Sequence, residues 1–312
     1  MGRVGVRTFV TGSLLLCCAT RVSSAALSIT DVGKVALPAN GTGAAELSGI
    51  TWAGGTQYYA VADGGAGLFP VSISINSATG AITSAALSAK VQLATGVDLE
   101  GVVYNASTNT VHVSDETGPA IREYNVSNGA VVSTVTVPAV YNSIVNNFSL
   151  ESLSRGGSNL WTANEEALTV DGPLSTTGAG SWVRLQRFNV AMAPTGQWAY
   201  RTDAISADSP FTTAERSGVS DLLALPDGRL LVLERELGGP VIPDFRNRIY
   251  LVDFTGATDS SAIASLSSTS FTGVTKTLLW EGGFANDNFE GITLGPQLAN
   301  GDYSVLLVLR RH

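Results

Sequence analysis

The sequence predicts an all-β chain closed into a single β-propeller of five or six blades, and three observations carry that prediction. First, one short pattern starts five times: Glu46-Leu-Ser-Gly-Ile-Thr-Trp52, Asp98-Leu-Glu-Gly-Val-Val-Tyr104, Ser149-Leu-Glu-Ser-Leu-Ser154, Gly218-Val-Ser-Asp-Leu-Leu-Ala-Leu225 and Asn288-Phe-Glu-Gly-Ile-Thr-Leu294. Second, four of these starts are followed by a short apolar run ending near a carboxylate: Tyr58–Asp63, Thr110–Glu116, Asn159–Glu165 and Arg229–Glu234. Third, apolar residues alternate along the chain instead of recurring at helical spacing. A repeat of roughly fifty to seventy residues made of short strands buries its faces only by stacking on its own copies. In a propeller the equivalent residues of those copies converge on one axis, so the repeat predicts a site as well as a fold.

The first residues read as a secretory signal. Arg3 and Arg7 give a positive start, Thr8 to Thr20 form an apolar core with Leu14, Leu15, Leu16, Cys17 and Cys18, and Ser23-Ser-Ala25 or Ser24-Ala-Ala26 offers small residues for cleavage. A retained membrane anchor is the alternative, for which the run is short; the adjacent cysteines also raise a lipid anchor. The expected organisation is a signal over 1–25, a propeller over 27–312, and a secreted or periplasmic mature chain with no transmembrane segment. Both cysteines lie inside the signal. Disulfides, zinc thiolate sites and cysteine nucleophiles are then excluded from the mature protein.

The alternating segments assemble into units of about 47–95, 99–140, 149–203, 218–281 and 289 onward, the residue types between them being turn formers. Leu68–Ile73, Ile121–Val126, Leu185–Val190 and Arg248–Phe254 fit third strands, and Ala130–Val137, Gln197–Tyr200 and Thr275–Trp280 fit fourth strands. Four strands per unit is the blade pattern. Leu27–Leu37 alternates too and is expected to add the outer strand of the last blade, closing the ring and covering an edge. A sixth blade would have to lie in the longer insertions. Ala167–Ser181 and Glu236–Asn247 read as loops over one face, and the Ser/Thr-rich tract Thr258–Thr272 as a solvated hairpin or loop. The last unit is expected to lack a strand: it ends Tyr303-Ser-Val-Leu-Leu-Val-Leu-Arg-Arg-His312, basic where the others are acidic, as a truncated or frame-shifted gene would leave it.

The whole chain carries a net charge of −8, and removal of residues 1–25 deletes three arginines and no acid, moving it to −11. Such a surface repels nucleic acid and favours cations. A monomer is expected. The first strand of each blade lines a propeller channel, which places Ser48, Glu100, Glu151, Asp221 and Glu290 at similar heights, with Asp63, Asp115 or Glu116, Glu165 and Glu234 ending the neighbouring strands. Carboxylates crowded about one axis repel unless protonated or bridged by a cation. Oxygen donors without Cys or His clusters select calcium or magnesium over zinc. The candidate metal set is therefore Asp63, Glu100, Asp115, Glu151, Glu165, Asp221, Glu234 and Glu290, with calcium or magnesium as the ion. The competing reading has these acids capping strands and accepting backbone N–H bonds.

The five motifs, Leu47-Ser-Gly-Ile50, Asp98-Leu-Glu-Gly101, Phe148–Leu153, Val219-Ser-Asp-Leu222 with Leu230–Arg235, and Asp287–Pro296, resemble the phytase-like propeller family, also called esterase-like activity of phytase. The resemblance covers nearly all of the mature chain, in order; it departs where Arg310 and Arg311 replace the family's acidic closing turn. It implies phosphate-ester or ester hydrolysis, and the calcium-dependent propeller phytases show what an acidic ring does: metals neutralise substrate phosphates and activate a water. On that reading Glu100, Glu151 and Glu290 are the catalytic candidates, and Arg155 and Arg235 the candidates for gripping a phosphate-ester substrate. For Arg235 the alternative is a salt bridge to Glu234 and Glu236. His112 lies within a strand and reads as packed; with His312 terminal, a Ser-His-Asp order has no support, and no Gly-x-Ser-x-Gly elbow is present. Trp52, Tyr104 and Trp161 read as inter-blade core, with a sugar-stacking platform as the alternative. The rivals to the hydrolase are a non-enzymatic propeller that binds a ligand or protein on its loop face, and a metal-dependent lactonase or esterase.

Overall fold

The computed structural model describes residues 14–22, 27–37, 46–63, 66–95, 98–145, 148–206, 216–238, 244–282 and 287–311. The proposed cleavage site at 23–26, Arg3, Arg7 and His312 lie outside the described residues. The strands follow in chain order. β1 (Leu14–Val22) and β2 (Leu27–Ala36) precede β3 (Leu47–Gly54), β4 (Gln57–Ala62), β5 (Gly67–Ile75), β6 (Ile82–Leu87) and the short β7 (Val91–Gln92). Next come β8 (Leu99–Asn105), β9 (Thr110–Asp115), β10 (Ala120–Asn125) and β11 (Val131–Val135), then β12 (Ser154–Gly156), β13 (Asn159–Ala163), β14 (Trp182–Phe188) and β15 (Pro194–Arg201). The chain continues through β16 (Arg216–Ala224), β17 (Leu230–Gly238), β18 (Asp244–Asp253) and β19 (Thr275–Gly282) to β20 (Asp287–Gln297) and β21 (Tyr303–Arg311).

These strands form five antiparallel sheets, one per expected unit, arranged as a propeller: β3-β4-β5-β6 with β7 added to β5, β8-β9-β10-β11, β12-β13-β14-β15, β16-β17-β18-β19, and β20-β21-β1-β2. The expected third and fourth strands stand in those places, and among the described residues no sixth sheet is present. β2 is the outer strand of the fifth blade, as its alternation predicts. The third place in that blade, expected to be empty, is taken by β1, which pairs antiparallel with β21 from Leu14↔Leu309 to Thr20↔Tyr303 and with β2 on its other side. The run read as a signal core therefore forms a strand, and removal of residues 1–25 would take this strand out of the sheet.

Each blade buries both faces, because a neighbour lies on each side. Five apolar clusters result, one per blade interface. Val61 and Leu68 meet Leu99 and Val113 between blades one and two; Val103 and Ile121 meet Leu150 and Phe188 between two and three. Trp161 and Leu185 meet Leu222 and Val232, Leu233 and Ile249 meet Phe289 and Leu307, and Leu306 and Val308 return to Leu47 and Phe69, closing the ring. Burial of this kind contributes about 25 cal/mol per Å² of apolar surface removed from water.

The tract Thr258–Thr272 is a largely exposed loop, as expected, but Ser260 and Leu266 anchor it in the protein. It docks on blade three, where the Ser260 and Ile263 carbonyls accept from Arg184 and the Leu266 N–H donates to Asp171. Arg184 and Asp171 are fully buried and paired at 2.6 Å, with Gln197 taking a further guanidinium N–H. A buried charge needs such complete pairing, and the loop Ala167–Ser181 supplies its acid.

Candidate active site at the acidic mouth of the channel

All five inner strands run the same way along the axis, so each carries residues from one mouth to the other. The ring residue follows the first apolar residue of each motif: Ser48, Glu100, Glu151, Ser220 and Glu290. The residue after it is Gly49, Gly101, Ser152, Asp221 and Gly291. Successive strand residues point to opposite faces, so this next position meets the adjacent inner strand. A Cβ at Gly49 would strike the Glu100 carbonyl oxygen, one at Gly101 the Ser152–Leu153 backbone, and one at Gly291 would stand 2.7 Å from the Ser48 carbonyl. The Glu-Gly pair in the motif is thus a channel carboxylate followed by a close backbone approach. Hydroxyls stitch the ring beyond it: Thr293 Oγ1 accepts the Trp52 N–H at 3.1 Å, Thr51 Oγ1 the Tyr104 N–H at 3.0 Å, and Ser154 Oγ the Ala224 N–H at 2.8 Å.

The second strands contribute the last residue of a six-residue run. Tyr58–Asp63, Val111–Glu116, Leu160–Glu165, Leu230–Arg235 and Val305–Arg310 align, so Asp63, Glu116, Glu165, Arg235 and Arg310 face one mouth. A cavity of about 190 Å³ opens there, lined by these residues with Ser48, Glu100, Glu151, Asn288, Glu290 and Arg216. Blades one to three give acids and blades four and five give the arginines. Arg235 donates to Glu165 at 2.6 Å and to Glu290, with Asn288 Oδ1 at 3.2 Å and a Glu151 oxygen at 3.9 Å. Opposite it, two carboxylate trios share Glu100: Asp63, Asp98 and Glu100, and Glu100, Glu116 and Glu151, each with ligand oxygens within 4.8 Å of one another.

This crowding sets the ionisation. Burial, then Glu290, Glu116, Asp63 and Asp98, hold Glu100 well above the ordinary carboxylate range. Glu151 is raised likewise by burial and by Glu100, Glu165 and Glu116, with Arg235 pulling against them. Burial, then Glu165 and Asp98, push Glu116 up to about 7 although the Ser149 N–H donates to it at 2.6 Å. Asp98 rises to about 6 through burial and its contact with Asp63. Glu290, raised by burial, is restrained by Arg235. Like charges in a desolvated channel keep protons that water would have taken.

A family model described as phytase-like, esterase-like activity of phytase, matches residues 42–308. The chain belongs to the phytase-like family. No curated protein matches it. Among solved structures it is similar to the periplasmic gluconolactonase of Pseudomonas aeruginosa, at 11% identity and TM-score 0.37, with 86% of this chain and 96% of that one covered. It is also similar to the hydrazine synthase of Kuenenia stuttgartiensis, at 11% identity and TM-score 0.39, with 80% and 71% covered.

In this phytase-like propeller the expected site residues divide. Asp63, Glu100, Glu151, Glu165 and Glu290 come together at the acidic mouth. Asp115 turns aside to Arg122 at 2.7 Å, and Glu116 takes the axial place. Asp221 occupies the position after the ring residue and is buried; it accepts the Leu222 and Ile292 N–H groups at 2.8 Å, joining blades four and five. Glu234 points away from Arg235 and accepts from Tyr200, Asp203 N–H and Lys276 at the blade-three interface. The Arg235 partners are Glu165 and Glu290 of the adjacent blades three and five, not its sequence neighbours Glu234 and Glu236. Arg155 lies four residues beyond Glu151, at the other end of the channel. Arg235 does line the acidic mouth, as expected, and two further cations join it there: Arg216, stacked 4.7 Å over Phe148, and Arg310, paired with Glu46 at 2.8 Å. Asp98, the first residue of the second motif, is a further acid of the site. His112 is buried in β9, as expected of a packed residue.

Proposed function

We propose that this phytase-like propeller is an exported phosphate-ester hydrolase that works with a divalent cation, calcium first, at the acidic mouth of its channel. The observation that carries the reading is Glu100, shared between two carboxylate trios whose oxygens lie within one ligand spacing. The donor set fits a hard cation: it is all carboxylate, with hydroxyl oxygen nearby at Ser48 and no thiolate or imidazole in either trio. Asp63, Asp98, Glu100, Glu116 and Glu151 would hold it. When bound, such an ion supplies charge neutralisation at phosphate oxygens and a more acidic bound water.

The protein's own residues then have distinct tasks. Arg216 and Arg310, at the mouth, bind and orient the phosphate dianion. Arg235 neutralises Glu165 and Glu290, so the substrate meets less repulsion from that side. Glu116 and Glu151, raised by burial and by their acidic neighbours, would release their protons on holding the cation, which links cation binding to pH at this mouth. Export rests on the signal pattern of residues 1–25, and among the described residues no helix is long and apolar enough to cross a membrane.

The test is phosphate release from inositol hexakisphosphate by the exported chain, first with calcium and then with excess chelator. Calcium-dependent release, lost in Glu100→Gln, supports the hydrolase. A folded protein that binds calcium and releases no phosphate from this or simpler monoesters overturns it in favour of a binding propeller.

A further inference from the structure

The two ends of the channel differ in chemistry. Four residues along each inner strand, about 13 Å at a strand rise of some 3.3 Å per residue, the carboxylates give way to an apolar cup of about 180 Å³. Every inner strand contributes to it, with Trp52, Tyr104, Leu153, Leu223 and Leu294 among its walls. One charged side chain lines it, Arg155 of β12.

Arg155 is poorly satisfied for a guanidinium in such surroundings. Among the described residues it has no carboxylate within ion-pair distance, and its buried Nε has no hydrogen-bond partner. Its one recorded side-chain neighbour is the Nδ1 of His112, 3.5 Å from an Nη atom. His112 is 1% exposed and its Nε2 is also without a partner. Glu123, opposite His112 in the β9–β10 register, acts on Arg155 through its charge without pairing with it, its oxygens being taken by the Thr110 and Ser133 hydroxyls. Burial, then Arg155, keep the imidazole neutral by lowering it to about 4, so it does not add a second positive charge. Buried arginines elsewhere in the molecule are paired, as Arg184 and Arg235 are. An unpaired, partly desolvated cation costs free energy that an anion would recover.

We infer that the apolar end of the channel is a second binding site, separate from the acidic mouth, for a small carboxylate with an aromatic or aliphatic body. The carboxylate takes the open edge of the Arg155 guanidinium, which offers a planar fork for one such group. The body lies against Trp52, Tyr104 and the leucines. The single cation selects a monoanion, and the acids of the other mouth keep the two sites chemically distinct. The site does not depend on the hydrolase reading.

The experiment is calorimetric titration of the full chain with phenylacetate, phenylacetamide and phenethylamine. Phenylacetate is expected to bind at least about tenfold more tightly than the neutral amide, the equivalent of one charge-assisted pair, and the amine not at all. Arg155→Met should abolish the preference for the acid, whereas Glu100→Gln, which disables the acidic mouth, should leave it unchanged. Equal binding of acid and amide by the wild-type chain overturns the inference without recourse to any variant. So does a preference for the acid that survives Arg155→Met in a protein of unchanged melting temperature.

Discussion

Arg235 of blade four reaches Glu165 of blade three at 2.6 Å, and the two occupy the same position in their respective repeats. Blades four and five carry a base where blades one to three carry an acid, and the pair that Arg235 makes with its neighbour is internal to the ring. Loss of one partner of a buried pair leaves the other uncompensated, at about 3–5 kcal/mol. Arg235→Met should therefore destabilise the protein strongly by urea unfolding. Adding Glu165→Gln to it should recover part of that loss, because neighbours of this kind do not add. Additive costs would show that the two side chains are not coupled.

Glu100 belongs to both trios, so its substitution separates metal binding from folding. Glu100→Gln should weaken calcium binding by at least about tenfold, the scale at which even outer-shell changes act. The same change puts a neutral side chain where burial and the neighbouring acids already favour the neutral form, so the chelated variant should melt no lower than chelated wild type. Calcium titration by calorimetry with paired thermal melts checks both. A variant that binds calcium normally rejects the shared-ligand arrangement.

The raised carboxylates give a pH dependence of definite sign. Glu116 and Asp98 ionise near 7 and 6 in the folded chain and nearer 4 when unfolded, while Glu100 and Glu151 are raised further. The folded state then holds more protons, and stability falls as pH rises. Chelated protein should lose stability between about pH 4.5 and 7, by roughly 3 kcal/mol from Glu116 alone at 1.36 kcal/mol per pKa unit. Calcium, which favours the ionised forms, should flatten that slope. The groups facing Glu116 are Glu100, Glu151, Glu165 and Asp98. Melting temperature against pH, with and without calcium, reads the difference; a chelated curve that rises with pH over this range contradicts the charge arrangement.

The blades were legible because strand alternation and the recurrent motif are local properties. Five starts, the third and fourth strands, and the closing role of Leu27–Ala36 all followed from them. The site was legible only to within one residue. Choosing acids where the repeat fixes a position led to Asp221 instead of Ser220, and Glu234 instead of Arg235. A strand turns each such slip onto the opposite face. Aligning the six-residue runs by their apolar residues would have given Arg235, already a candidate for the substrate, its place in the ring, and would have found Arg310. The tract Thr258–Thr272 reaches the Asp171–Arg184 pair from a segment far away in sequence, and no local pattern marks that contact. The pairing of Leu14–Val22 with β21 was masked because an apolar run can serve either a signal or a strand.

Asp221 supports the ring without facing its cavity. Its carboxylate accepts the N–H groups of Leu222 and Ile292, each at 2.8 Å. Asp221→Ala leaves those buried donors unsatisfied, at about 1–3 kcal/mol for each. The expected result is a lower melting temperature with an unchanged number of calcium ions bound per chain. A lost calcium ion would return Asp221 to the ligand set.

Gly101 tests the close approach that the Glu-Gly motif encodes. A Cβ there would meet the backbone of blade three, with the Ser152 Cα at 2.9 Å and the Leu153 nitrogen closer still. Those atoms belong to the loop that carries Glu151, so they have no flexible end to move aside. Gly101→Ala should cost about 1–3 kcal/mol as overpacking. It should also push Glu151 away from Glu100 and weaken calcium binding in proportion. The control is Ser152→Gly, at the equivalent place in blade three, where a side chain is already accommodated and no loss of calcium affinity is expected. If Gly101→Ala keeps full stability and affinity, the inner strands are not packed backbone to backbone, and the glycine in the motif has another cause.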